Sequence, residues 1–341
     1  MRTIPISTKI RRPGPESDLL RQLSERVVGQ PQALTQIVPY VQMHLAGLAP
    51  EGRPVGVFLL LGPTGTGKTR TVEVLAQALH GSEKHMLKVD CGEFQMEHEV
   101  AKLIGAPPGY LGHRETQPML SQQKLNGVTS DQCSLSLVLF DEIEKAASSM
   151  TRLLLGVLDK AVLRLGDNAT VSFERTIIFL TSNLGAEAMR KQLRPDFGFE
   201  TMVAGKRDSA KRLEGIGMNA VKRKFSPEFV NRIDAVITYQ PLGAKALAII
   251  VDQQIEALQQ HIVNRLMDRA FEIDVNSGAR AFLLRKGTSE EYGARELKRT
   301  ILRHLTQPLA AMVSSGAIIP GDMVHAVASA DGERLTLAVE V

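Results

Sequence analysis

The chain contains no tryptophan, only two cysteines, and an aromatic content of 4%. Cys91 and Cys133 lie far apart and form neither a disulfide framework nor a zinc-ligand pattern, so plain reduced thiols are expected. Sparse aromatic rings argue against a run of stacking platforms for single-stranded nucleic acid. No apolar stretch approaches the ~20 residues that a membrane-spanning helix requires. The opening MRTIPISTKIRRPGPE carries positive charge without an apolar core, unlike a secretory leader. Charge of one sign is also lacking: 41 Lys+Arg against 37 Asp+Glu leave a formal +4. Basic residues gather only in 206–224, where Leu213, Ile216, Ala220 and Val221 recur at helical spacing. A solvated helix face is the simplest account of them. The expectation is a cytoplasmic protein with no membrane and no nucleic-acid partner.

What is present is enough sequence for about two domains. Residues 1–26 read as an N-terminal arm, loose around Pro5, Pro13, Gly14 and Pro15, with a helical pattern beginning at Ser17. That pattern continues to about Leu48, interrupted at Val27-Val28-Gly29-Gln30-Pro31; Pro31 suits the first turn of the next helix. Buried strands are then predicted at Val57–Leu61, Met86–Asp90, Leu135–Phe140 and Thr176–Thr181, with helices between them. The rhythm implies an α/β fold with a parallel sheet flanked by helices. After Pro241 the grammar changes. Leu247, Val251, Ile255, Leu258, Ile262 and Leu266 mark a long helix, followed by short helices and strands at 271–275, 323–327 and 334–341. The domains are therefore placed at 27–240, a large α/β unit, and 241–341, a smaller mainly helical unit carrying a short sheet.

Chemistry concentrates where the predicted strands end. Gly62-Pro63-Thr64-Gly65-Thr66-Gly67-Lys68-Thr69 follows the first strand and opens a helix running to His80. Glycines let successive N–H groups converge on one anion; Lys68 supplies a point charge for phosphates, and Thr69 a hydroxyl for Mg²⁺. The helix N-terminus adds its dipole. This pattern in this setting binds ATP or GTP. Leu135–Lys145, LSLVLFDEIEK, delivers Asp141 and Glu142 at a strand end. Asp141 is placed to hold Mg²⁺, directly or through water, and Glu142 to polarise the water attacking the γ-phosphate. Asn183, ending TIIFLTSN, is placed to hold that water from the other side; its alternative is a helix cap for Leu184–Met189. Arg232 in FVNRID and Arg295 in YGARELKR are candidates for neutralising transition-state charge. Which of the two acts on its own chain is open at this point.

GPTGTGKT, GAPPGYLG (105–112), LFDEIEKA, TSNLG, SPEFVNRID and YGARELKR, in this order, resemble the Clp-type AAA+ ATPases. The likeness is to the second, C-terminal ATPase module of ClpA, ClpB and ClpC, over about Val27 to Val341. It implies a P-loop AAA+ fold and ATP hydrolysis with Mg²⁺. It implies that Asn183 is sensor 1, Arg232 an arginine finger reaching a neighbour's ATP, and Arg295 sensor 2. Val27–Gln30 resembles the segment lining the adenine pocket, with Val28 among the nucleotide-binding residues. The family forms hexameric rings, which implies a homohexamer. Gly109, Tyr110, Leu111 and Gly112 match its pore loop, which grips unfolded or tagged protein. Phe197-Gly198-Phe199 falls where some members carry a loop that docks a ClpP-like peptidase, though those members prefer an aliphatic residue first; packing is the other reading. Unlike the two-module members, this sequence is expected to act as a stand-alone single module. The stretch Ser121–Ser134 is longer than the family pattern and is expected as a surface loop.

Three functions compete on these residues. The first is an ATP-driven protein unfoldase or remodelling chaperone threading polypeptide past Tyr110. The second is a nucleotide-switched assembly scaffold, which would need Lys68 but tolerate loss of Glu142. The third, a nucleic-acid motor, would call for aromatic and basic residues on a shared groove, whereas aromatics are 4% and the basic stretch 206–224 contains none.

Overall fold

The strand expected at 57–61 runs from Gly56 to Leu61, and all six residues are buried. Burial on both faces marks a central strand of a parallel sheet. The computed structural model describes residues 15–105, 117–193, 206–289, 293–329 and 331–340. Two helices come first, α1 (Pro15–Arg26) and α2 (Pro31–Leu45), the latter with Pro31 in its first turn. Then follow β1 (Gly56–Leu61), α3 (Lys68–His80), β2 (Leu87–Asp90), α4 (Ala101–Ile104), α5 (Gln122–Gly127), β3 (Ser136–Asp141) and α6 (Ser148–Lys160). A hairpin, β4 (Val162–Arg164) and β5 (Thr170–Ser172), leads to β6 (Thr176–Ser182), α7 (Ala186–Leu193), α8 (Lys206–Lys224), α9 (Pro227–Val230) and β7 (Ala235–Thr238). The remainder is α10 (Ala244–Leu266), β8 (Glu272–Val275), α11 (Ser277–Gly287), α12 (Ala294–Ile301), α13 (Gln307–Ser314), β9 (Met323–Ala328) and β10 (Leu335–Glu340).

The main sheet has the order β2-β3-β6-β1-β7, and every pairing is parallel. Leu61 stands beside Ser182, and Phe140 beside Leu180, so β1, β3 and β6 all end on one edge. That carboxyl edge is where open α/β sheets bind ligands. Alternation along β1 divides the core. Val57, Leu59 and Leu61 face a cluster with Leu154 of α6 and Phe229 of α9, while Phe58 and Leu60 face α2 and α3. Leu23 of α1 is 1% exposed and belongs to this second cluster, so the described part of the expected arm is a packed helix. A third cluster draws only on residues 242–339, with Leu247, Val251, Ile255 and Ile262 of α10 packed on α11, α12 and β9. Its small sheet is ordered β10-β9-β8, with β9 antiparallel to β10 and parallel to β8.

The surface loop expected at Ser121–Ser134 is corrected over Gln122–Gly127, which form the helix α5. Ser121 Oγ accepts the Lys124 N–H at 3.3 Å and caps α5, and Leu125 is 1% exposed, which anchors the helix in the core. The hairpin β4–β5 and the strand β7 were not anticipated. Among the described residues, no helix is long and apolar enough to cross a membrane.

Candidate nucleotide site

The turn after β1 is built from positive backbone angles: φ is 146° at Gly62, 76° at Gly65 and 101° at Gly67. An L-residue adopts such angles rarely, which explains three glycines in six positions. A Cβ on Gly62 would also lie 2.5 Å from the Tyr239 carbonyl oxygen. Lys68 opens α3 and is 8% exposed. Its ammonium donates to Gly62 O (2.7 Å), Pro63 O (2.9 Å) and Asn183 Oδ1 (2.9 Å). Burial pulls its pKa down to about 8, against the opposing pull of the Glu144 and Asp141 carboxylates.

The two acids stand side by side at the end of β3, joined by a residue the sequence reading gave no role. Thr181 Oγ1 donates to Asp141 Oδ1 and accepts the Glu142 N–H at 3.0 Å. Lys88 Nζ sits 3.0 Å from Asp141 Oδ2. Glu142 is left-handed, with φ 57° and ψ 50°, an uncommon conformation for a residue with a Cβ. Its carboxylate accepts from Asn183 Nδ2 at 3.3 Å and pairs with Lys145 at 2.5 Å. Asn183 thus lies between Lys68 and Glu142, and its own N–H donates to Glu144 Oε1 at 2.9 Å. Both polar atoms of the Asn183 side chain are thus engaged, Oδ1 by Lys68 and Nδ2 by Glu142. The partners of Lys88, Glu144 and Thr181 lie on neighbouring segments, whereas Lys145 meets Glu142 three residues before it.

Val28, Thr64, Gly65, Thr66, Lys68, Thr69, Asp141, Glu142, Asn183 and Arg295 line one cleft of about 320 Å³, with Gly67 among them and Gly62 and Pro63 behind it. Val27, Val28, Leu242 and Ile250 add apolar lining, alongside Arg26, Gln253 and Gln254. Gln30, 5% exposed, ties the cleft to the end of the large domain: Nε2 donates to Thr66 O (3.1 Å) and Gln240 O (2.8 Å), and Oε1 accepts from Gln240 N (3.2 Å). On the far side, Ala294 N donates to Gly65 O at 3.1 Å, which sets Arg295 at the mouth. Thr69 and Asp141 offer hard oxygen ligands on one wall. No group of three or more His, Cys, Asp or Glu suited to a metal occurs among the described residues. That donor set fits Mg²⁺, which is held by one or two protein oxygens together with phosphate.

Arg232 is not in this cleft. Its Nη1 donates to Glu228 O (2.8 Å) and its Nη2 to Asp159 Oδ2 (3.4 Å), while Nε is buried with no hydrogen-bond partner among the described residues. Ala235, three residues on, is level with Phe58, and Gly62 lies four residues beyond Phe58 at the opposite edge of the sheet. Those four residues alone span about 13 Å. Arg232 and the P-loop therefore sit at opposite ends of one sheet. Gly109, Tyr110, Leu111 and Gly112 lie outside the described residues, as does Phe197-Gly198-Phe199.

A parallel sheet with a glycine-rich loop, an acid pair and a polar sensor on its carboxyl edge defines a P-loop nucleotide-binding protein. Comparison narrows the class. The model of the AAA domain (Cdc48 subfamily) matches residues 53–236, and that of the C-terminal, D2-small domain of ClpB protein matches 242–326. The chain belongs to the Clp-type AAA+ ATPases, as a module of the second, D2-like kind. It is 40% identical over 329 residues to the chaperone protein ClpB of Rhodopseudomonas palustris, and 36% over 311 residues to that of Meiothermus ruber. These alignments cover 95% and 90% of this chain but 34% of each relative, so the chain spans about a third of their length. Among solved structures it superposes on Hsp104 with ATPγS and FITC-casein in a closed state, with TM-score 0.79 and 30% identity over 95% of this chain and 52% of that one. The extended Saccharomyces cerevisiae Hsp104:casein complex gives TM-score 0.80 and 29% identity, over 96% and 53%.

Proposed function

We propose that the chain is an ATP-hydrolysing protein unfoldase or remodelling chaperone, working as a homohexameric ring that threads polypeptide past Tyr110. The observation that carries the hydrolytic part is the continuous set of contacts from Lys68 through Asn183 to Glu142, which joins the phosphate loop to the acid pair. In this reading the loop 62–69 and Lys68 hold the phosphates, and the apolar lining at Val28 takes the adenine. Thr69 and Asp141 would hold Mg²⁺, which would supply positive charge to neutralise the phosphates. Glu142 polarises the attacking water, and Asn183 fixes the Glu142 carboxylate from the side of Lys68. Arg295 reaches the phosphates from α12, and 241–341 forms the small domain whose separate core supports that division. The position of Arg232 at the far edge of the sheet supports a site completed by another copy. A protein substrate is supported by ClpB and by Hsp104 solved with casein.

The test is a pair of variants. Glu142→Gln should hold ATP while turnover falls at least about 100-fold. Tyr110→Ala should keep nucleotide binding and lose the unfolding of a polypeptide such as casein. Wild-type turnover in Glu142→Gln would leave a scaffold as the better reading; normal threading in Tyr110→Ala would remove the pore-loop assignment. DNA-stimulated hydrolysis would instead favour a nucleic-acid motor. A peptidase partner at Phe197-Gly198-Phe199 is favoured by no observation among the described residues.

A further inference from the structure

We propose that Thr181 is a positioning residue that fixes the acid pair through a single hydroxyl, setting Glu142 in the conformation from which it works. The inference rests on the reading of Glu142 as the group that polarises the attacking water. Thr181 stands in β6 next to the sheet's carboxyl edge and is 1% exposed. A hydroxyl has one proton to give and lone pairs to accept with. Here the proton goes to Asp141 Oδ1, and a lone pair receives the Glu142 N–H at 3.0 Å. The direction is dictated by the partners, since a carboxylate only accepts and an amide N–H only donates.

The sheet cannot supply the second of these bonds. The β3–β6 ladder ends with Phe140 beside Leu180, so the amide of Glu142 lies beyond the last strand pair. Thr181 Oγ1 stands in for the missing carbonyl. It also closes the turn, because Glu142 has left the extended conformation of β3 for φ 57° and ψ 50°. A residue with a Cβ holds that conformation only where its surroundings determine it. The turn is what carries the Glu142 carboxylate towards Asn183 and Lys145 rather than onward along the strand. Thr181 is among the residues lining the cleft, and the role assigned to it runs through Asp141 and through the backbone of Glu142.

Valine has the same shape without the hydroxyl and suits a buried strand, so Thr181→Val removes the two bonds and keeps the packing. Thr181→Ser keeps the hydroxyl and removes only a methyl. In the full chain with Mg²⁺, Thr181→Val should lower kcat for ATP about 10- to 100-fold, as expected for a displaced catalytic group. KM and the affinity for a non-hydrolysable ATP analogue should stay within about twofold, because the phosphate loop is untouched. Thr181→Ser should recover most of the rate. Amide hydrogen exchange should accelerate at 141–145 in Thr181→Val, but neither there in Thr181→Ser nor in β1 in either variant. An unchanged kcat in Thr181→Val, or a Thr181→Ser as impaired as Thr181→Val, would overturn the assignment. Glu142→Gln is measured alongside. Should it hydrolyse ATP at the wild-type rate, the role of Glu142 fails by itself, and exchange at 141–145 decides Thr181: no acceleration in Thr181→Val then overturns it.

Discussion

At the scale of the residue, the phosphate loop is held by groups that never meet phosphate. Tyr239 is fully buried, and its hydroxyl donates to Thr71 Oγ1 at 2.8 Å; Thr71 in turn donates to Gly67 O at 3.1 Å. Burial pushes the Tyr239 phenol far above its usual range, so this relay keeps its protons at any working pH. Tyr239→Phe breaks the first link while keeping the ring, and should cost about 1 kcal/mol of folding stability. Gly62→Ala should cost more, at least about 2 kcal/mol, since its Cβ would meet the Tyr239 carbonyl at a φ that alanine resists. Urea denaturation of both variants checks the order; an alanine variant as stable as wild type would show that the loop yields. The sequence made Gly62, Lys68, Asp141, Glu142 and Asn183 legible because each sits in a contiguous pattern whose chemistry is local. The contacts of Thr181 and Gln30 were not legible. Their partners are 40 and 210 residues away, and the strand order that brings those partners close is written in no short motif.

At the scale of the element, periodicity found the long buried strands and α10, where burial and pattern agree. It missed β7, whose four residues are too few to alternate visibly, and α5, where a serine cap and one buried leucine outweigh a polar composition. The small sheet carries a pH-sensitive strap. His325 on the central strand β9 reaches Asp274 on β8 at 3.0 Å and Glu340 on β10 at 3.1 Å. Hydrogen bonds to Glu340 and then Asp274 hold its pKa above the ordinary 6.5. A folded pKa above the unfolded one means that the native state binds the proton more tightly. The stabilisation is therefore complete below 6.5 and is lost as pH rises through the higher folded value. Thermal melts should show wild type losing stability across that interval while His325→Gln stays flatter. Added salt should shrink the difference, because the strap is exposed. Parallel curves for the two proteins would remove His325 from the account.

At the scale of the molecule, the two-part architecture was legible from the change of pattern after Pro241, but the closeness of the parts was not. A Gly293 Cβ would stand 2.9 Å from the Gly65 carbonyl, so the helix bearing Arg295 leans directly on the phosphate loop. Arg295 thus belongs to the cleft of its own chain, whereas Arg232 is at the opposite edge of the sheet, its Nε without a partner among the described residues. In the proposed ring, Arg232 would serve the next copy, and each working site would take Glu142 from one chain and Arg232 from its neighbour. Two single variants should then rescue each other. Arg232→Ala alone and Glu142→Gln alone should both fall in turnover, the first with nucleotide affinity preserved. When the two are mixed in equal amounts and allowed to exchange subunits, roughly a quarter of the interfaces in a heterologous ring join an intact Glu142 to an intact Arg232. Turnover should rise above that of either variant measured separately, at constant total protein. A doubly substituted chain mixed with wild type keeps no such complementarity, because every defective subunit spoils two interfaces. Mixtures no more active than their components would place Arg232 outside the hydrolytic site, and the assembly would then have to be argued without it.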